Sequence, residues 1–189
     1  RHRMIRPASN KTWIQEWTAV SLSLGFTLLL AEQFRWAWIL GGLASLIYLK
    51  LVWQKGLWAE TALHLFYLIM AIRGYANWTS DMEGQMALGS LTMNEHLFRL
   101  AIGVVFTLIL GFLLSKTSAQ LPYLDALTTV FGIIATLMMV EYVRANWLYW
   151  IGIDLASALL YARRQMWPTV RLYRVYTVMA RYAYLNWGG

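Results

Sequence analysis

The residues of this sequence that could do chemistry are aromatic and acidic side chains at helical spacing. Trp147, Trp150, Asp154 and Ser157 follow one another at intervals of three and four residues, which places them on one face of a helix. Flat aromatic walls beside a carboxylate suit a planar, positively charged ring through stacking and cation–π attraction. The pattern therefore predicts a binding site for a cationic, ring-containing small molecule.

Side chains of the same kind recur on other apolar segments. Glu60, His64 and Tyr67 follow one another at intervals of four and three residues, and Tyr173 and Tyr176 are three residues apart. Each group also falls on one face of a helix. Trp38 and Ser45 add an indole ring and a hydroxyl group on a further apolar segment. The predicted substrate-binding set is Trp38, Ser45, Glu60, His64, Tyr67, Trp147, Trp150, Asp154, Ser157, Tyr173 and Tyr176.

Other chemistries are excluded by residue type and spacing. The sequence has no cysteine, and its three histidines and nine acidic residues lack metal-ligand spacing. It contains no GxxxxGK, GxSxG or HExxH motif and no evident nucleophile–base pair. We therefore expect no enzyme activity, no metal and no cofactor. The net charge is +7, but the basic residues do not cluster on one soluble face. This distribution indicates the loops of a membrane protein rather than nucleic-acid binding.

The elements that must position these residues are apolar helices. Of the 189 residues, 59% are hydrophobic and 13% are charged, whereas soluble domains have about 45–50% and about 25%. The apolar residues form blocks close to the length of about 20 residues that spans a bilayer. We predict an all-α, multi-pass protein of the plasma or inner membrane with seven transmembrane helices, at 14–31, 36–53, 58–78, 92–115, 123–141, 146–162 and 167–187.

Several of these residues have structural alternatives. Trp147 could belong to an aromatic belt at the membrane surface, His64 could be a packing residue, and Asp154 could be a buried hydrogen-bonding group. Three arginines, Arg171, Arg174 and Arg181, lie inside the last predicted helix. Arg174 and Arg181 share a face, so they require a cavity, an acidic partner such as Glu60, or extension to the membrane surface.

The sequence also contains an internal repeat. Residues 14–78 align with residues 123–187 without a gap, at an offset of 109 positions, and the identical pairs include Glu32/Glu141, Arg35/Arg144, Tyr75/Tyr184, Asn77/Asn186 and Trp78/Trp187. Such a match predicts a duplication, with its Glu-x-x-Arg pairs forming loop salt bridges. The predicted order is a basic segment (1–13), a three-helix bundle (14–78), a loop and linking helix (79–122), and a second three-helix bundle (123–187).

Two segments carry a resemblance to a known family. Residues 141–154, Glu-Tyr-Val-Arg-Ala-Asn-Trp-Leu-Tyr-Trp-Ile-Gly-Ile-Asp, and residues 55–78 resemble the corresponding parts of PnuC-type vitamin transporters. The resemblance implies a SWEET-like fold of two parallel three-helix bundles joined by one linking helix, and a homotrimer in the lipid bilayer. It also implies facilitated diffusion of nicotinamide riboside, or of thiamine or riboflavin as in sister branches.

Four positions depart from the family pattern. Asp154 stands where relatives often have Asn, His64 where many have Gln, Ala71 where they have Asn, and Arg73 where they have an aromatic residue. The carboxamide-reading groups expected for nicotinamide riboside are therefore partly missing, which leaves the choice of vitamin open. A non-transporting membrane scaffold or sensor is the alternative from another functional class.

Overall fold

The computed structural model describes residues 10–54, 58–78, 88–117, 121–163 and 167–187. Within these ranges the chain forms seven α-helices, and each predicted helix is present with its ends shifted by no more than four residues. The helices are α1 (Asn10–Ala31), α2 (Ala37–Gln54), α3 (Trp58–Asn77), α4 (Met93–Ser115), α5 (Pro122–Val140), α6 (Asn146–Arg163) and α7 (Trp167–Asn186).

The helices have the length that a bilayer requires. They contain 18 to 23 residues, and at 1.5 Å per residue they are about 27–35 Å long, close to a hydrocarbon core of about 30 Å. By length and apolar composition together, α4 and α5 qualify as membrane spans among the described helices. The outer surface of α4 exposes Val104, Leu108 and Phe112 by more than half, as a lipid-facing surface would.

Local sequence explains where α4 and α5 begin. Thr92 caps α4, because its side chain accepts a hydrogen bond from the Glu95 backbone N–H while the Thr92 backbone N–H donates to Glu95 Oε2 at 2.7 Å. This reciprocal pair satisfies N–H groups that the first helical turn leaves unpaired. Pro122 occupies the first position of α5, where its missing N–H costs nothing.

Each helix packs on its neighbour in the chain, except across the segment between α3 and α4. Two further contacts, of α1 with α7 and of α3 with α5, join the first three helices to the last three. Helix α4 packs on α5 through small residues: a Cβ at Gly103 would lie 2.5 Å from the Phe131 ring, and one at Gly111 would lie 2.3 Å from the Tyr123 ring. Close backbone approach therefore fixes α4 against α5.

The loops after α1 and α5 have the same backbone structure. Gln33 and Tyr142, which are 109 positions apart, have φ angles of 62° and 57° in the left-handed region. The Gln33 N–H donates to Leu30 O and the Tyr142 N–H donates to Met139 O, both at 3.0 Å. The two loops also contact each other, because the Tyr142 hydroxyl donates a hydrogen bond to Gln33 Oε1.

The predicted loop salt bridges are not the interactions observed. Glu141 lies 3.8 Å from Arg99 of α4, and Arg144 instead donates from Nε to the Tyr184 carbonyl at 2.7 Å while covering the Tyr184 ring. Glu32 accepts a hydrogen bond from the Tyr182 hydroxyl at 2.7 Å. Glu32, Glu141 and Arg144 therefore contact residues of α4 and α7.

Buried aromatic residues mark the end of the bundle where α1, α3, α5 and α7 finish. Trp38 meets Trp78 edge-on at 5.5 Å between ring centroids, and Trp147 meets Trp187 edge-on at 5.3 Å, again at the offset of 109. Trp78 also contacts Trp187, at 5.8 Å. Trp187 Nε1 donates to the Leu30 carbonyl at 3.0 Å. We call this the aromatic end, defined by Trp38, Trp78, Tyr142, Trp147 and Trp187.

Candidate functional site

A cavity of about 560 Å³ lies among the middle turns of the helices. It is bounded on one side by Trp38 and Trp147 of the aromatic end and reaches Tyr48, Asp154 and Tyr173 near the helix centres. Six helices contribute lining residues, and none of the residues of α4 does. Volumes of about 300–1,000 Å³ are typical of small-molecule sites, so the cavity is large enough for a vitamin-sized ligand.

Sixteen of the 23 lining residues form eight pairs that are 109 positions apart. In five pairs the two members are identical or similar, and in three pairs they differ in chemistry. The similar pairs are Thr27/Thr136, Leu30/Met139, Trp38/Trp147, Tyr67/Tyr176 and Ala71/Ala180, and the dissimilar pairs are Gly41/Trp150, Ser45/Asp154 and His64/Tyr173. The same framework thus presents different chemistry on its two sides.

The structure brings together most of the residues that the sequence predicts for the site. Nine of them line the cavity: Trp38, Ser45, His64, Tyr67, Trp147, Trp150, Asp154, Tyr173 and Tyr176. Ser157 is buried, at 4% exposure, but does not line the cavity, because it is rotated about 60° around the helix from Asp154. The side chain of Glu60 lies outside the described residues.

Asp154 is the acidic group of the lining. Its side chain is buried, with 5% of the residue exposed, and within the described part of the chain it forms no hydrogen bond or ion pair. Buried carboxylates are normally paired, because removing a charge from water costs several kcal/mol unless a partner replaces the solvent. A ligand with positive charge or hydrogen-bond donors can supply that partner.

Several nitrogen atoms of the lining residues also have no partner among the described residues. They are the indole Nε1 atoms of Trp38, Trp147 and Trp150, and Nδ1 of His64. Buried polar atoms in folded proteins are nearly always hydrogen-bonded. The indole nitrogens can only donate, so they suit ligand hydroxyl or carbonyl oxygens.

The side walls of the cavity are formed by aromatic rings. Tyr48 and His64 are stacked, with centroids 5.0 Å apart and planes inclined by 16°, and the His64 ring meets Tyr67 edge-on at 6.0 Å. Gly132 of α5 lies close to both Tyr67 and Trp150, because a Cβ there would be 3.4 Å from Tyr67 Oη and 4.0 Å from the Trp150 ring. These walls allow stacking with a flat ligand ring.

The structure also decides some of the alternatives. Trp147 is only 2% exposed, so it is not a belt residue in contact with lipid. Arg171, Arg174 and Arg181 are exposed on the outer surface of α7 and do not line the cavity.

The contribution of α1 is not predicted by the sequence argument. Val20, Ser23, Phe26, Thr27 and Leu30 all line the cavity, yet α1 has no stripe of charged or aromatic residues. The identity of Thr27 and Thr136 in the repeat alignment is the signal that could have indicated it.

Comparison with known proteins gives the family. Residues 13–188 match the family model described as nicotinamide mononucleotide transporter. The chain belongs to this family. Nearly the whole sequence is covered, so the family applies to the cavity and to the helices that form it.

Two curated relatives and one solved structure are similar to this chain. The nicotinamide riboside transporter PnuC of Haemophilus influenzae is 28% identical over 147 residues, covering 74% of this chain and 64% of the relative. The protein of the same name from Neisseria mucosa is 26% identical over 164 residues, covering 79% and 62%. A crystal structure of the vitamin B3 transporter PnuC superposes with a TM-score of 0.70 at 25% identity, covering 93% of this chain and 80% of that one.

These comparisons confirm the resemblance to PnuC transporters that residues 141–154 and 55–78 indicate. They also confirm an all-helical, multi-pass protein of the plasma or inner membrane. The chain spans less than two thirds of the length of the curated relatives that it matches.

Proposed function

We propose that this protein transports nicotinamide riboside across the membrane by facilitated diffusion. The observation that carries the proposal is the cavity at mid-helix depth, in which an unpaired, buried Asp154 faces aromatic walls and unpaired donors. Nicotinamide riboside has a flat, positively charged ring and several hydroxyl groups. Stacking, charge attraction and hydrogen bonding would therefore all be satisfied by one ligand.

The cavity residues take distinct roles in this proposal. Asp154 attracts the ring charge or accepts from ribose hydroxyls, Trp150 and Tyr176 form faces against which the ring packs, and His64 and Tyr173 supply polar contacts from opposite sides. Trp38, Ser45, Tyr67 and Trp147 complete the proposed binding set. The contribution of Glu60 to substrate binding stays a prediction.

The proposed transport path depends on the arrangement of the helices. We propose that residues 14–78 and 123–187 are two parallel three-helix bundles related by an axis along the membrane normal, with α4 of segment 79–122 linking them. The matched loops at Gln33 and Tyr142 and the paired cavity residues support this arrangement. Transporters built from such repeats bind substrate between the halves at mid-membrane and move one half against the other.

Facilitated diffusion is proposed because Asp154 is the single acidic side chain among the described lining residues. Coupled transport of protons uses relays of acidic and histidine side chains along the helices, and Asp154 and His64 are the lining residues of those types in the described part of the chain. We also propose that the protein has no enzymatic activity. Its assembly as a homotrimer, implied by the family resemblance, stays a prediction that the mass of the purified protein tests.

The cavity argues against a phosphorylated substrate. Among the described lining residues there is no lysine or arginine, and a phosphate group would lie near the Asp154 carboxylate without compensation. Nicotinamide mononucleotide is therefore expected to bind more weakly than nicotinamide riboside. Thiamine is the second candidate, because it also has a fixed ring charge, and its amino group can donate a hydrogen bond to Asp154.

An uptake panel in proteoliposomes tests the proposal. Nicotinamide riboside, thiamine, riboflavin and nicotinamide mononucleotide are supplied outside liposomes that carry no ion gradient. We expect nicotinamide riboside to enter until its concentrations are equal and then to stop. Concentrative uptake that collapses when a proton or sodium gradient is dissipated would contradict facilitated diffusion. A panel in which no compound enters would favour a scaffold or sensor.

A further inference from the structure

The outer surface of α7 carries arginines where the matching positions of α3 are apolar. Arg171, Arg174 and Arg181 are exposed, and they share one face of α7 with Val175 and Val178. The residues 109 positions before the three arginines are exposed on the corresponding face of α3, and they are Ala62, Leu65 and Ile72. Since the two helices occupy equivalent places in the repeats, the arginines are not required by the fold.

The positions of two of these arginines suit contact with the nearer lipid headgroups. Arg171 and Arg174 lie four and seven residues after Trp167, the first residue of α7, which is about 6 Å and about 10 Å along the helix axis. Helical side chains lean towards the N-terminus, and arginine can lay its aliphatic stem along apolar surface while its charge reaches polar groups. Both guanidinium groups can therefore reach the membrane surface where α7 begins.

The protein itself provides no described partner for these charges. Within the described part of the chain, Arg171 and Arg174 form no ion pair or hydrogen bond. The exposed carboxylates Glu32, Glu95 and Glu141 lie at the aromatic end, because Glu32 contacts Tyr182 near the finish of α7 and Glu141 pairs with Arg99. Arg171 and Arg174 are at the opposite end.

This separation argues against a second copy as the partner. A copy inserted in the same orientation would present its exposed, described carboxylates at the wrong membrane surface. Asp125, in the first turn of α5, is only half-exposed. An isolated arginine in the hydrocarbon region is energetically unfavourable. The phosphate of an anionic lipid lies at the membrane surface, which the guanidinium groups of Arg171 and Arg174 can reach.

The surroundings of the arginines match the rest of a phospholipid. Val175 and Val178 are exposed by 49% and 69% and lie deeper in the bilayer along the same face. Arg163 is exposed in the last turn of α6, at the same end of the bundle as the start of α7. The surface thus runs from basic at the membrane surface to apolar towards the bilayer centre.

We propose that Arg171 and Arg174 bind the phosphate of an anionic phospholipid, whose acyl chain lies along Val175 and Val178. Arg–phosphate contacts are charge-assisted and often bidentate, and basic surfaces next to the membrane attract anionic lipids. This lipid site lies on the outside of α7, separate from the cavity, and does not depend on the transported substrate.

The test compares lipid retention by the purified full chain. The protein is equilibrated with equal amounts of dioleoyl phosphatidylglycerol and dioleoyl phosphatidylcholine, and bound lipids are counted by native mass spectrometry. The double variant Arg171→Ala/Arg174→Leu gives α7 the residues of α3, and Arg181→Ile is the matched control. We expect about a tenfold or greater preference for phosphatidylglycerol in the parent and the control, and near-equal retention in the double variant.

Equal preference in the parent and the double variant would overturn the proposal. So would an equal loss in the Arg181→Ile control, since it would indicate a general charge effect of the helix. The same spectra report the oligomeric mass. A double variant that dissociates into monomers with unchanged lipid preference would assign this face to contact between copies instead.

Discussion

The two sides of the cavity are built on one framework but carry different side chains. At the aromatic end Trp38 and Trp147 occupy matching positions and are almost equally buried, at 3% and 2% exposure. At other lining positions Ser45 is matched by Asp154 and Gly41 by Trp150. We propose that these dissimilar positions determine which ligand the cavity recognises.

Closing the aromatic end and recognising a ligand place different requirements on the symmetry of the residues involved. Trp78 and Trp187 occupy matching positions of the repeat and contact each other at 5.8 Å between ring centroids, so equivalent residues can close the aromatic end. The proposed ligand is asymmetric, so its charged ring and its polar groups need different partners on the two sides of the cavity. Changes at the dissimilar positions should therefore alter ligand choice, whereas changes at Trp78 and Trp187, which do not line the cavity, should alter stability.

The largest effect is expected at Asp154. Asp154→Asn keeps the shape of the side chain and removes its charge, and we expect binding of nicotinamide riboside or thiamine to weaken by about 1.5–3 kcal/mol, which is roughly 10- to 150-fold. Isothermal titration with the purified protein measures this. Ser157→Ala is the control, because Ser157 is equally buried but does not line the cavity. Unchanged affinity in a folded Asp154→Asn variant would mean that Asp154 is structural.

The second effect concerns Gly74, whose matching residue is the fully buried Ala183. A Cβ at Gly74 would lie 2.4 Å from the Trp38 ring, so Gly74→Ala should force the ring to move and cost about 1–3 kcal/mol of stability. Thermal unfolding in detergent measures the loss. Gly42→Ala is the matched control, since its Cβ would lie 3.5 Å from that of Ala71, an ordinary contact. Equal unfolding temperatures for the two variants would contradict the close packing at Gly74.

Much of this architecture could be predicted from the sequence because its signals are local. The apolar blocks define the seven helices, and Pro122 marks the start of α5. Helical spacing also places Trp147, Trp150 and Asp154 on one face, and all three line the cavity.

What could not be predicted depends on contacts between distant segments. The hydroxyl groups of Ser23 and Thr27 bond to carbonyls of their own helix, so their residue types alone do not show that they face a cavity. The partner of Glu141 is Arg99 of α4 rather than the nearby Arg144, and helix packing decides that choice. Ser157 fails as a lining residue for a similar reason, because the limits of the cavity are set by neighbouring helices.

A third prediction concerns Trp150, which has no counterpart in the first half. At the matching Gly41 a Cβ would lie 2.8 Å from the Phe26 ring, so Phe26 fills the space there. Trp150→Ala should weaken binding by about 0.5–1.5 kcal/mol through lost stacking alone, and Trp150→Phe should restore part of it. Titration with nicotinamide riboside tests both variants. Equal affinity in Trp150→Ala and the parent would remove Trp150 from the site.

The last prediction concerns Tyr142, whose hydroxyl forms one of the hydrogen bonds between residues 14–78 and residues 123–187. Burial raises the pKa of the Tyr142 phenol, so the group stays neutral and donates to Gln33 Oε1 at physiological pH. Tyr142→Phe removes this donor and keeps the ring against Trp78 and Trp187, and should cost about 1 kcal/mol of stability. In a Gln33→Leu background the same change should cost much less, because the acceptor is already gone. Thermal unfolding of the parent, both single variants and the double variant measures the coupling. Additive losses would contradict a direct hydrogen bond between Tyr142 and Gln33, whereas a coupling close to the loss in Tyr142→Phe would show that this bond joins the loops after α1 and α5.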